Sequence, residues 1–254
     1  MKLSDVVWGP ERFDPTSHLP KIAEGSDSAG EAAAPSRAAP MESPLNWNEI
    51  DRLKWQRAKR HTFHTLPDED IDWVKPKMRH AITETRVKIS QHPFSHGAMR
   101  CTHGFLDENL PGCRMVAKRY FAITPKEADL QRDIEAQAVS KILSHEFSSN
   151  SGLPRAVDFI STCYYELLEV SDPVQRLVAV EPLITGDYKK YNSNSAWVGV
   201  EEFGEVAQAF SHFTYDYTGA NIMVVDLQGA SIAHNYCAIF ISLILHSRCQ
   251  LHYD

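Results

Sequence analysis

The chain has 254 residues, 43% of them apolar and 23% charged, with a formal charge of −7. This is an ordinary globular composition, long enough for a well-buried core, and its acidic balance, with a pI near 5.9, excludes broad electrostatic attraction to nucleic acid. No apolar run approaches the ~20 residues that span a bilayer, and residues 1–10 lack the apolar centre of a secretory leader. No nucleic-acid or membrane partner is therefore expected. Five cysteines (Cys101, Cys113, Cys163, Cys237 and Cys249) form no CxxC pair, which fits reduced thiols and a cytoplasmic location better than a disulfide framework.

Residues 1–44 read as a disordered arm. From Gly25 to Pro40 there is no large apolar side chain, so burial cannot offset the entropy of ordering. Residues 45–92 read as a basic helical segment leading into the domain. Between Leu45 and His61, Trp47, Ile50, Leu53 and Trp55 alternate with Arg52, Lys54, Arg57, Lys59 and Arg60. A basic amphipathic helix there would be either a calmodulin-type target or a helix packed on its neighbour with its charges in water.

Thr85–Ser90 alternates polar and apolar residues, as a half-buried strand does. Met115–Tyr120 is a second strand, with Val116 and Lys118 on one face. A lysine on an inner strand face needs an anion, and a nucleotide phosphate suits its compact charge; a strand-end lysine that reaches water is the alternative. Over Lys126–Phe147 the stripe Leu130, Ile134, Ala138, Ile142 predicts a helix, with Glu135 beside it. Strands are expected at Ala156–Ile160, Cys163–Val170 and Arg176–Leu183, and a helix at Glu201–His212. Ile222–Leu227 is a short apolar strand carrying Asp226, whose charge is expensive there unless paired or bound to metal. Strand, helix, several strands, then a mostly helical remainder make an α+β domain.

Five segments in order carry a resemblance. They are Pro93-Phe94 through Gly97-Ala98-Met99-Arg100; Val116-Ala117-Lys118-Arg119-Tyr120; Gly186 through Asn194; Gln208 through Thr214; and Val224-Val225-Asp226-Leu227-Gln228-Gly229. Together they resemble the alpha-kinases, a family of atypical protein kinases, and within it the elongation factor 2 kinase branch. The resemblance covers residues 93–229. It implies a two-lobed protein-kinase-like fold and ATP-dependent phosphorylation of Ser or Thr in a protein substrate, with a translation elongation factor as one candidate. It also implies roles. Lys118 would bind the ATP phosphates, positioned by Glu135, and Arg100 would close a loop over them. Glu181, Leu183 and Ile184 would form the hinge that meets adenine. Asp226 and Gln228 would hold magnesium, and His212 stands at the first structural zinc position.

After Gly229 the resemblance stops. The family's Asp-Pro loop, Gly-rich segment and His-x-Cys-x-x-x-Cys run have no counterpart in residues 230–254, and the only carboxylate there is Asp254. The expectation is an atypical tail and an incomplete C-terminal lobe. His234, Cys237, His246, Cys249 and His252 could complete a zinc site with His212, or reflect composition alone. The alternative to a kinase is a catalytically inactive, truncated module that binds nucleotide or a partner.

Overall fold

The computed structural model describes residues 45–65, 71–73, 76–97, 100–120, 126–151, 157–186, 188–194, 197–200, 203–232 and 237–246, with side chains up to residue 230. The arm expected over 1–44 lies outside the described residues. In chain order the elements are α1 (Trp47–Arg52), β1 (Gln56–Thr65), β2 (Met78–Ile89), β3 (Ser95–His96), β4 (Arg100–Asp107), β5 (Met115–Tyr120), α2 (Glu127–Ser151), β6 (Val157–Phe159), β7 (Cys163–Leu167), α3 (Pro173–Arg176), β8 (Leu177–Pro182), β9 (Tyr188–Lys190), α4 (Gly204–Tyr217), β10 (Ile222–Ile232) and β11 (Cys237–His246). The architecture is α+β and two-lobed, each lobe built on its own sheet.

The first lobe is a seven-stranded sheet in the order β2-β1-β7-β8-β5-β4-β3. β2 also pairs with β4 (Val87 opposite Asp107, Ile89 opposite Phe105), so the sheet closes on itself and β3 is left as a flap. Alternation then sends one set of side chains inside the ring: Val87, Phe105, Met115, Ala117, Tyr165, Leu167, Val178 and Val180 are buried together. One carboxylate, Asp107, shares that interior. It accepts from the Thr85 hydroxyl, from Tyr165 Oη at 2.6 Å and from Asn109 N at 2.9 Å. Tyr165→Phe is expected to cost about 1–3 kcal/mol, because a buried acceptor loses a donor that water cannot replace; urea unfolding of the variant measures it.

The basic segment departs from expectation. Its helix is only α1, six residues long, and Leu53 leaves it in an extended conformation (ψ 155°). Arg57, Lys59 and Arg60 lie on β1, hydrogen-bonded on one side to β2 and on the other to β7. The charges are absorbed across strands: Arg57 pairs with Glu169 at 3.7 Å and Lys59 with Glu166 at 3.8 Å. A continuous basic helix over 45–61, the basis of both alternatives, is therefore not formed. α1 packs Ile50 onto β4 at Gly104, where a Cβ would stand 2.4 Å from Ile50 Cδ1 and displace the tips of Ile50 and Leu45.

The second lobe is a four-stranded sheet in the order β6-β11-β10-β9. Among the described residues the remainder is thus not mostly helical: beyond β8 one long helix, α4, accompanies three strands. Residues 237–246 of the expected tail form β11, antiparallel to β10 and parallel to β6. α2 ties the lobes together. Its first half buries Leu130 and Ile134 against Phe63 and Tyr164 of the first sheet. Its second half buries Val139, Leu143 and Phe147 against Phe159, Phe210 and Leu227.

Candidate active site

Lys118 lies on β5, opposite Thr102 of β4 and Ala179 of β8. Its Nζ stands 2.6 Å from Glu181 Oε1, and both side chains are largely buried. Glu181 faces Val116 in the β5–β8 register, so the two charges sit diagonally on one face of adjacent strands. This corrects one expectation: the carboxylate at Lys118 is Glu181, not Glu135. Glu135 accepts from Gln131 Nε2, on its own helix, at 2.7 Å. An α2 carboxylate that does meet a strand cation is Asp133, two residues earlier, and the cation is a different one.

That cation is Arg100, the first residue of β4. Its Nη2 is 2.6 Å from Asp133 Oδ2, it donates to the Tyr120 hydroxyl, and its Cζ stacks 4.3 Å over the Tyr120 ring. The β3–β4 turn beside it is held by Gly97 N donating to Arg100 O at 2.8 Å. At the end of β8, Leu183 N donates to Arg114 O at 3.0 Å, which continues the pairing with the residues before β5. Leu183 and Ile184 are both partly exposed there.

Asp226 interrupts β10. The register with β11 shifts between Val225 and Gln228, and Asp226 has a φ of +58°. An aspartate tolerates that left-handed conformation better than most residues, and it turns the carboxylate out of an otherwise apolar strand. Asp226 Oδ1 meets Lys190 Nζ at 2.6 Å, and Gln228 lies opposite Lys190 on β9.

Asn192 holds the bulge. Only 3% exposed, it accepts from Leu227 N at 2.9 Å through Oδ1 and donates through Nδ2 to Gln208 Oε1 at 2.8 Å and Ser211 Oγ at 3.0 Å. Asn192→Ala would strand the Leu227 N–H inside the lobe. The expected cost is about 1–3 kcal/mol, and thermal unfolding of the variant measures it.

Tyr188 links the two ion pairs. Its hydroxyl titrates well above the ordinary tyrosine range, chiefly because it is desolvated although part of the ring is open to water, and also because it faces the Glu181 and Asp226 carboxylates. One tyrosine on β9 is thus acted on by a carboxylate of each lobe, which puts the Lys118–Glu181 and Asp226–Lys190 pairs in its neighbourhood. Of the residues expected at the site, Lys118, Glu181 and Asp226 come together. Glu135 and Arg100 have their partners elsewhere. His212 is half-buried on α4; among the described residues no three His, Cys, Asp or Glu side chains converge as a metal site. His234, Cys249 and His252 lie outside the described residues, and Cys237 and His246 are described only as the ends of β11. Tyr188, Lys190 and Asn192 had no assigned role in the sequence. Their signal was the polar run Gly186–Asn194, read there only as a motif, without the pairing that sets it against β10.

The alpha-kinase family pattern matches residues 95–250, more than half of the chain, and runs past Gly229 into the expected tail. Human eukaryotic elongation factor 2 kinase is 31% identical over 202 residues, covering 76% of this chain and 26% of that protein. Myosin heavy chain kinase B of Dictyostelium discoideum is 31% identical over 149 residues, 58% of this chain and 20% of that protein. The chain thus spans about a quarter of the length of the relatives it matches. Among solved structures, the alpha-kinase domain of myosin heavy chain kinase A in complex with ADP superposes with a TM-score of 0.60 at 22% identity, covering 76% of this chain and 83% of that one. The AMP-PNP complex of that domain gives 0.60 at 21% identity, a likeness of fold. With closed sheet, bridging helix, paired lysine and bulged aspartate in place, and the family pattern matched across them, the chain belongs to the alpha-kinase family.

Proposed function

We propose that the cleft between the two sheets binds ATP with magnesium, and that the chain is the kinase portion of a protein serine/threonine kinase. The observation that carries this is the pairing of a largely buried lysine with a carboxylate in each lobe, Lys118 with Glu181 and Lys190 with Asp226. Lys118 meets the phosphates as a point charge, held in place by Glu181. The hinge Glu181, Leu183, Ile184 meets adenine; Leu183 does so through its carbonyl, since its N–H is already given to Arg114. Arg100, once it leaves Asp133, closes on the phosphates. Asp226, with its side chain 27% exposed at the bulge, and Gln228 beside it offer the oxygen donors that magnesium requires. Bound there, magnesium would neutralise phosphate charge as transfer proceeds. Lys190 holds the same carboxylate ready with an opposite charge. That the myosin heavy chain kinase A domain is described in complexes with ADP and AMP-PNP supports a nucleotide in this cleft. The substrate is a protein hydroxyl, and the elongation factor is the first to try. The free thiols of Cys101, Cys113 and Cys163 suit a cytoplasmic setting.

One observation favours a second reading, a nucleotide-binding module without transfer: from Leu227 to His246 the chain has no Asp or Glu. Kinases orient the attacking hydroxyl with a carboxylate, and beyond Asp226, already assigned to magnesium, β10 and β11 supply none. Incubation with γ-labelled ATP, magnesium and protein substrates separates the readings. Label that disappears in Lys118→Met establishes the kinase. A folded chain that binds ATP and transfers no label establishes the module, and a chain that binds no ATP removes both.

A further inference from the structure

The closed sheet opens at one end into a cavity of about 910 Å³, within the size range of small-molecule sites. Its wall combines Arg60, Met115 and Cys163 from the ring with Pro182 at the start of the hinge and Ile134 and Ile142 from α2. Lys118, Glu181 and Asp226 do not line it, so it adjoins the proposed nucleotide site only at Pro182 of the hinge. The mouth of a barrel is a recurrent place for ligands, because strand ends leave apolar walls that no other element fills.

The charges at this mouth are unbalanced. Arg60, Arg114 and Lys141 line it with one carboxylate, Asp158. Two of these cations have partners: Arg114 stacks 5.2 Å over the Trp47 ring, and Lys141 donates to Phe159 O at 2.7 Å and pairs with Asp158 at 3.5 Å. Arg60 meets the Cys163 thiol but no carboxylate within ion-pair distance among the described residues, and its Nε is buried and makes no hydrogen bond there. Its guanidinium stays charged despite desolvation, because the Cys163 thiol, Tyr165 and, through the ring, Asp107 face it. A guanidinium is a flat fork of donors that fits a carboxylate with two parallel bonds.

We propose that the barrel mouth is a second ligand site, for a small organic carboxylate with an apolar body. The carboxylate lies against Arg60, and the body runs along Met115, Ile134 and Ile142. A flexible alkyl acid and a flat aromatic acid share this chemistry.

The test uses the full chain and the fluorescent probe 8-anilinonaphthalene-1-sulfonate, an apolar anion. Expected is probe emission that decanoate or 2-naphthoate quenches by displacement and that ATP leaves unchanged. Whichever acid displaces at lower concentration identifies the shape of the body. Arg60→Met, which keeps the stem and removes the fork, should weaken decanoate about tenfold or more and leave the uncharged control decanol unaffected. Ile142→Trp, on a partly exposed face of α2, should fill the groove and abolish displacement while ATP binding persists. Circular dichroism confirms that each variant is folded; if Arg60→Met unfolds, Ile142→Trp decides alone. Displacement by ATP, unchanged decanoate affinity in a folded variant, or a wild-type chain that binds neither acid would overturn the proposal.

Discussion

Lys118→Met is expected to eliminate nucleotide-dependent phosphoryl transfer, lowering turnover by roughly a hundred-fold or more, the scale seen when one preorganised charge is removed from a transition state. The physical reason lies in the pair it breaks. Lys118 and Glu181 stand 2.6 Å apart with only 22% and 11% of their side chains exposed. Methionine matches the stem of lysine and removes its charge, so the phosphates lose their cation and Glu181 is left as an unpaired carboxylate beside the hinge. That carboxylate repels the phosphates as well. It should also cost about 1–3 kcal/mol of stability, because removing one partner leaves the other desolvated. A second variant separates the two consequences. Lys118→Met with Glu181→Leu replaces both charges by apolar groups, which is often near neutral for the fold. Its unfolding midpoint should return towards the wild type while nucleotide binding stays lost. Nucleotide titration with urea unfolding on the same samples checks both; a double variant that regained binding would remove Lys118 from the site.

Phe147→Ala should have the largest effect on the fold, about 3–5 kcal/mol, from lost burial plus the cavity left behind. Phe147 is fully buried near the end of α2 and meets Phe210 and Phe213 of α4 edge-on, with centroids 5.4 and 5.3 Å away. The same cluster contains Val224 and Leu227, the residues flanking the Asp226 bulge. A hole here loosens the base on which the bulge rests. For a chain of this size the cost corresponds to roughly 10 °C in the melting midpoint. Differential scanning calorimetry should record that fall, and nucleotide affinity should fall with it, although Phe147 is not among the residues assigned to the nucleotide.

Much of this arrangement was legible in the residues themselves. The four-residue apolar stripe from Leu130 onward announced α2, which the structure extends to Ser151. Alternation over Thr85–Ser90 announced the end of β2, a strand-like run announced β5, and the apolar run around Asp226 announced β10. These are local signals: side-chain period and backbone preference are set by neighbours in sequence. The basic segment was not legible in this way. Arg57, Lys59 and Arg60 read as a charged helix because nothing local shows that Glu166 of β7 and Glu169 just beyond it will face Lys59 and Arg57. The partner of Lys118 was missed for the same reason. A helix carboxylate and a strand carboxylate look alike in sequence, and only the β5–β8 register brings Glu181 within reach.

By itself, then, the sequence determined that Lys118 and Asp226 each sit on a strand where a bare charge is expensive, and that ordered motifs place them in one family. Tertiary structure alone decided what answers each charge. Glu181 answers Lys118, Lys190 answers Asp226, and Tyr188 faces both carboxylates. It also decided that a positive φ at Asp226, stabilised by the buried amide of Asn192, turns the carboxylate out of the sheet. The physical reason is that periodicity reports which face a side chain takes, whereas electrostatic partners are fixed by strand register and lobe packing between segments distant in the chain.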